Sequence, residues 1–350
     1  MTRWRLITDD GAGAGDGLAA DEALMLHHRR GGDPAYPASL RLYTYRSHCA
    51  LVGRYQLLEA EVDLDACARH GVEVGRRPTG GGAIIMGEDQ LGVAITTQAP
   101  ADCRPRDLLC AYADALIAGL AQLGVQAGFR GKNDLEVDGR KIAGLGLYVD
   151  DHGALLFHAS VLAGLDVDLM LSVLRIPGAK LADKGVARVA ERITTVSEQI
   201  GTPVNGAALR RAMTHGVAEA LDVELEDSEL TEAERSCARE LIAQRYGSPA
   251  WLAGRSGGGD ARATAPLKTP GGLVRVYAGV QNEAISSVMF SGDFSAMPPG
   301  LLALEAALRW CRAAPERIGE IVAAQLPDGE LGVAAEALAG AVWAAAERAL

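Results

Sequence analysis

Three consecutive glycines, Gly80, Gly81 and Gly82, preceded by Arg76-Arg77-Pro78-Thr79 and followed by the apolar run Ala83 to Met86, restrict the fold more than any other stretch of this chain. Glycine loses more backbone freedom on folding than any other residue, about 0.5–1 kcal/mol relative to alanine in a regular element. Three in a row interrupt a helix or strand and ask for a compensating reason. Close approach of the backbone to a ligand is one. N–H groups unshielded by side chains can converge on an anion, and the two upstream arginines add positive charge. A glycine-rich turn before a buried strand, with two solvated arginines, is the other reading, and the run alone does not separate them.

At 350 residues the chain exceeds the length at which single cores usually stop growing, so two domains are expected. The formal net charge of −11, from 45 acidic and 34 basic residues, argues against nucleic acid or an anionic membrane as a partner. Cys49, Cys67, Cys103, Cys110, Cys237 and Cys311 form no CxxC pair and no zinc spacing, so reduced thiols in a cytoplasmic protein are expected. Met1 to Asp10 lacks the apolar core of a secretory signal. No apolar span approaches the roughly 20 residues that cross a bilayer.

Strands are expected at Trp4–Thr8, Leu40–Tyr45, Cys49–Gly53, Ile84–Met86, Val93–Thr97 and Ala154–Leu162, and helices at Gly17–His28, capped by Asp16, and at Val62–His70. Arg106–Leu123 has apolar residues at helical spacing. Asp138-Gly139, between Leu135–Val137 and Lys141–Leu145, is a hairpin turn because both positions tolerate positive φ. Helices follow at Val167–Leu174, Ala207–Leu221 and Thr231–Arg245, then a glycine-rich linker over 256–270. This gives a large domain over 1–255 and a small α+β domain over 271–350, with a hairpin across Gln281-Asn282 and three helices. Strands mixed with helices, without regular βαβ alternation, argue against a doubly wound dinucleotide fold for the large part.

A second cluster adds chemistry to the glycine run: Lys132-Asn133-Asp134-Leu135, then the turn, then Arg140-Lys141-Ile142-Ala143-Gly144. Lys141, between a turn and an apolar strand, can neutralise a carboxylate or phosphate. Asn133 can read a base or sugar edge, and Asp134 can accept from a ribose hydroxyl or hold Mg²⁺. A solvated lysine beside a hairpin and a turn-capping acid are the alternatives, and both stay open at this level.

Taken in order, these elements resemble the lipoate-protein ligase A family of the biotin and lipoate ligase fold. The likeness starts in the Leu18-to-Ala23 helix and passes through Gly53-Arg54-Tyr55-Gln56, the glycine run and the lysine hairpin. It continues through Phe157-His158-Ala159-Ser160 and a segment from Lys180 to Val196 with Lys184, Gly185, Arg192 and Thr194, similar to the family's adenylate-side loop. Gly271 to Val276 opens a segment similar to its accessory domain. The resemblance implies a mixed α/β large domain, its sheets flanked by helices, with a fused C-terminal accessory domain. It implies a ligase that joins lipoate and ATP into lipoyl-AMP and passes the lipoyl group to a lysine of a carrier domain, such as that of a 2-oxoacid dehydrogenase E2 or a glycine cleavage H protein. Arg77 then contacts the nucleotide phosphate, and Gly82, Ala83, Ile84 and Ile85 line the adenylate. Asn133 and Asp134 hold the adenine and ribose side, with Mg²⁺ at Asp134. Lys141 bridges lipoate carboxylate and α-phosphate, Gly80 and Gly81 border the lipoate, and Leu51, Val52, Leu145 and Leu147 sheath its chain.

The chain departs from that pattern at Met86, where many relatives carry histidine, and at Phe157-His158, where relatives often show two histidines. His158 reads equally as a hydrogen-bonded strand residue or a base. Acyl transfer from an acyl carrier protein through a cysteine thioester is the competing activity. None of the six cysteines lies between Asn133 and Ser160, where one transferase group carries its nucleophile. A non-catalytic binder of lipoyl domains is a third reading, opposed by the joint presence of Arg77, the glycines, Asn133, Asp134 and Lys141.

Overall fold

A central strand that is buried on both faces sets the layering of the larger part of the molecule. The computed structural model describes residues 1–29, 31–131, 133–175, 191–255, 262–263, 267–270, 272–294, 297–326 and 333–350. The chain forms two compact units: Met1–Val52 with Glu61–Thr79 and Ile84–Leu252, and Gly53–Ala60 with Gly80–Ala83 and Ala253–Leu350. Most of the expected linker lies outside the described residues, as do Lys132, Lys180, Lys184, Gly185 and Gly271.

The strands of the first unit are β1 (Thr2–Ala12), β2 (Ala38–Tyr45), β3 (Cys49–Val52), β4 (Glu73–Arg76), β5 (Ile84–Met86), β6 (Gln90–Gln98), β7 (Gly128–Arg130), β8 (Asp134–Val137), β9 (Arg140–Val149), β10 (Ala154–Leu162) and β11 (Val223–Ser228). Eight of them make one sheet in the order β11-β1-β2-β6-β10-β9-β8-β7, and three make a small sheet in the order β4-β3-β5. The pairs of β1 with β11 and β2 are parallel, whereas each successive pair from β2 through β6, β10, β9 and β8 to β7 is antiparallel. Of the nine residues of β10 only His158 is more than slightly exposed. A strand covered on both sides reads as a continuous apolar run, which is why Ala154–Leu162 is legible without alternation.

One face of the sheet is covered by the helices Pro105–Ala121 and Gly206–Leu221, with Leu40, Val93, Ile95, Leu116, Phe157, Met213 and Val217 in the core between. The opposite face carries the helix Ala14–Arg29 and a second apolar cluster of Leu18, Met25, Tyr43, Tyr45, Cys49, Leu51, Met86 and Leu156. That helix starts earlier than expected, and Asp16 lies in its first turn instead of capping it. Its N-terminus is satisfied from outside, because the Ala14 N–H donates to Glu73 Oε2 at 2.8 Å. The same helix buries Asp21, which accepts from the fully buried Arg41 at 2.7 Å. Asp138 and Gly139 have φ of 49° and 76° and join β8 to β9, as expected of a two-residue hairpin.

In the second unit, β12 (Arg262–Ala263) and β13 (Leu267–Thr269) pair with one edge of β14 (Gly272–Gln281), and β15 (Ala284–Gly292) pairs with the other. The hairpin turn falls at Asn282 and Glu283, with φ of 51° and 59°, one residue later than expected. Helices Pro299–Leu308, Pro315–Gln325 and Ala335–Glu347 supply Leu301, Leu304, Ile318, Val322, Leu338 and Val342 to a core with Val274, Val276, Phe290 and Phe294. Two short segments from early in the chain belong to this unit. Ser291 Oγ accepts from Leu57 N–H at 3.0 Å and donates to the Tyr55 carbonyl at 3.1 Å, and the Gly81 N–H donates to the Phe294 carbonyl at 3.0 Å. Among the described residues no helix is long and apolar enough to cross a membrane.

Candidate active site

Alternation along β9 divides the sequence-predicted residues between two faces. Leu145 and Leu147 pack into the core beneath the Pro105–Ala121 and Gly206–Leu221 helices, whereas Leu51, Ile84 and Tyr148 belong to the cluster on the opposite side. The expected acyl sheath of Leu51, Val52, Leu145 and Leu147 is therefore not assembled. Residues of odd and even number on one strand point apart, and the apolar wall beside the small sheet is made by Leu51, Ile84, Met86 and Tyr148 instead. Met86, 2% exposed and paired with Cys49 across β5 and β3, packs there as an apolar side chain.

On that same side Gly144 and Gly146 leave β9 without side chains, and other groups occupy the space. A Cβ on Gly144 would lie 3.0 Å from Lys141 Nζ, and one on Gly146 would lie 2.4 Å from His158 Nε2. Lys141 Nζ stands 2.7 Å from Asp134 Oδ1, each side chain about one-third exposed. Both positions follow from the hairpin, which sets Asp134 opposite Gly144. The Lys141 backbone is held independently, its N–H donating to the Arg192 carbonyl at 2.8 Å and its carbonyl accepting from Thr194 at 2.9 Å. Thr194, 1% exposed, donates to Glu198 Oε2 at 3.1 Å, and Glu198 also pairs with Arg140. Asn133 braces the hairpin: its Nδ2 donates to the Leu145 carbonyl at 3.1 Å, and its own carbonyl accepts from the Leu145 N–H at 2.8 Å.

Neither arginine of the glycine motif is a solvated surface residue. Arg77, 5% exposed, donates from Nη1 to the Leu51 carbonyl at 2.5 Å, and Arg76, 2% exposed, donates from Nε and Nη2 to the Leu252 carbonyl at 3.1 and 2.9 Å. Burial pulls both guanidinium pKa values down to about 10. Thr79 Oγ1 lies 2.9 Å from His158 Nε2. Burial first, and the Arg77 charge second, lower the His158 pKa to about 3, so the ring is neutral at physiological pH. In the second unit Gly81 has φ of 93°, and a Cβ on Gly53 would lie 2.0 Å from the Gly81 carbonyl oxygen. With its N–H given to Phe294, Gly81 does not contribute that donor to an anion cradle.

Cys49 is not a prepared nucleophile. Cys49, nearest in sequence to Gly53, is 1% exposed, and burial pushes its thiol well up. Among the described residues no group of three His, Cys, Asp or Glu side chains could hold a metal ion, and Asp134 already faces an ammonium.

The lipoyl protein ligase A/B catalytic domain family matches residues 14–218 of the chain. The chain belongs to that family. Octanoyltransferase LipM of Symbiobacterium thermophilum is 32% identical over 275 residues, spanning 71% of this chain and 98% of the relative. The bipartite lipoate protein ligase of Thermoplasma acidophilum, solved in a study of that enzyme and its E2 lipoyl domain, superposes with a TM-score of 0.66 at 29% identity, covering 73% of this chain and 99% of that one. A lipoate-protein ligase A bound with ATP superposes at 0.63 with 27% identity, over 72% and 99%. The mixed α/β architecture is thus the lipoate-ligase fold that the motifs anticipate. Two features of this family member escape a reading by motif. The Gly144-x-Gly146 spacing, which on a strand bares one face, was the available signal for the space around Lys141. The contact of Thr79 with His158 joins residues 79 positions apart, and neither residue alone announces it.

Proposed function

We propose that this family member is an ATP-dependent lipoate-protein ligase. The observation that carries the reading is the Lys141 ammonium, partly exposed over the bare Gly144 position and steadied by Asp134, in a stretch with no cysteine from Cys110 to Cys237. A free acid and a nucleotide are both anionic, and a fixed positive charge brings them together and stabilises charge developing at phosphorus. Lipoate carboxylate attacks the α-phosphorus, the bond to the bridging oxygen breaks and pyrophosphate leaves. The acceptor lysine amine then attacks the acyl carbonyl of the mixed anhydride and AMP departs. In this reading Arg77, Gly82, Ala83, Ile84, Ile85, Asn133 and Asp134 serve the nucleotide, Gly80, Gly81 and Lys141 serve the acid, and Mg²⁺ enters with the triphosphate as part of the substrate. The ATP-bound neighbour and the neighbour studied with its E2 lipoyl domain support this choice of nucleotide and acceptor.

Octanoyl transfer from an acyl carrier protein is the second reading, favoured by the 32% identity to octanoyltransferase LipM. One experiment separates the two. Purified protein is mixed with a lipoyl domain and either lipoate with MgATP or octanoyl-carrier protein without nucleotide. The ligase reading expects pyrophosphate release and a lipoyl mass shift on the domain in the first mixture. Modification in the second mixture alone replaces it with the transferase.

A further inference from the structure

His158 has no part in the chemistry written above, yet its surroundings are specific. The ring stands where a side chain on Gly146 would stand, its Nε2 only 2.4 Å from a Cβ built there. The same nitrogen shares a 2.9 Å hydrogen bond with the Thr79 hydroxyl. Thr79 is 2% exposed and directly precedes the Gly80–Gly82 run, a segment with little stiffness of its own. We propose that His158 is a positioning residue that anchors Thr79 and thereby the entry to the glycine run, with Gly146 kept side-chain-free to admit the ring. This rests on the ligase reading only in naming the acid substrate as the ligand whose affinity depends on the run.

The alternative role for a histidine here is general base, and the surroundings oppose it. Arg77 is the charged group that lowers its proton affinity, and burial acts in the same direction. A base works best with a pKa near the operating pH. The neutral ring can still share its hydrogen bond with a hydroxyl in either tautomer.

The test uses the full-length protein and two independent readouts. In the first, nitrogen and Cε1–H NMR signals of the His158 ring are followed from pH 5 to 8. The expected result is one neutral tautomer with no titration, altered by Thr79→Val. In the second, His158→Leu is expected to raise the KM for lipoate about tenfold, the loss of one buried hydrogen bond, with kcat within about threefold. His158→Gln, which keeps a polar partner for Thr79, recovers most of that loss. Gly146→Ala reproduces the KM defect, and Gly146→Ala with His158→Ser relieves the clash and restores the melting temperature without restoring KM. A ring titrating near 6.5, an unchanged KM in His158→Leu, or a fall in kcat of about 100-fold or more with loss of one pH limb would each overturn the proposal. If wild-type protein makes no adenylate, the ligase reading fails separately. The NMR arm then still tests the Thr79 contact, and the kinetic arm is run with the acyl-carrier donor.

Discussion

Replacing Lys141 with alanine separates the catalytic charge proposed for it from structural support. The side chain is about one-third exposed and, among the described residues, makes one ion pair, with Asp134. A pair so open to solvent contributes about 0–1 kcal/mol to stability. The backbone bonds to Arg192 and Thr194 do not involve the side chain and survive the change. For a domain of this size the melting temperature should therefore drop by no more than about 2–4 °C. Adenylate formation should respond very differently. Losing a group directed at developing charge costs about 2.7–4 kcal/mol of transition-state stabilisation, or about 100- to 1,000-fold in rate. Lipoate-dependent exchange of labelled pyrophosphate into ATP, with scanning calorimetry on the same preparation, reads both quantities. Exchange within about threefold of wild type would refute the role given to Lys141. A melting temperature lowered by more than about 10 °C would show that the side chain supports the fold, and the rate argument would lose its basis.

Arg41→Met should destabilise the first unit by about 3–5 kcal/mol, because it leaves Asp21 buried without its guanidinium partner, whereas Arg41→Met with Asp21→Leu should recover most of the loss; urea denaturation of the four members of the cycle measures this. His28 should make the fold acid-sensitive: burial, then the neighbouring His27 and Arg5 charges, hold its pKa down to about 4 against the partial pull of Glu234. The folded-state value lies below the unfolded one, so the contribution is complete above about pH 6.5 and is lost as pH falls toward 4, by up to roughly 3 kcal/mol. His28→Gln should flatten the denaturation midpoint over that window, and an unchanged slope would rule the residue out as the cause.

Local chemistry made some parts of the molecule readable and distance hid others. Asp138-Gly139 announces its hairpin because both residues accept positive φ, and that hairpin alone brings Asp134 and Lys141 together. β11 is harder: Val223–Ser228 pairs in parallel with β1, more than 200 residues earlier, and no local signal records such a partner. β4 and β7 are short and polar, so their strand character comes from the neighbours they join. The turn from helix to π-helix at Ile242–Tyr246 is likewise set by contacts, with Arg245 and Tyr246 reaching the buried Glu22. The glycine run was readable as an irregular segment. Its membership of the unit built around β14 and β15 was not, since it depends on the carbonyl of Phe294.

The two candidate activities differ in where the energy of the acyl bond originates, and the charge distribution bears on that difference. A thioester donor arrives activated and neutral at its reacting carbon; it asks for a nucleophile and offers little to a cluster of cations. A free acid with a nucleotide brings two anions that repel at close range, and the arrangement that helps is positive charge held in a poorly solvated place. Arg76 and Arg77 are each at most 5% exposed, and both proton affinities are depressed by burial, which marks desolvated charge. Keeping two guanidiniums out of water opposes folding unless acceptors compensate, and the Leu51 and Leu252 carbonyls do so here. Cys49, in β3 of the small sheet that also holds Arg76, is meanwhile buried, and burial pushes its thiol well up. Desolvated cations beside a buried thiol are what the proposed ligase reading expects, because activating a free acid with ATP joins two anions.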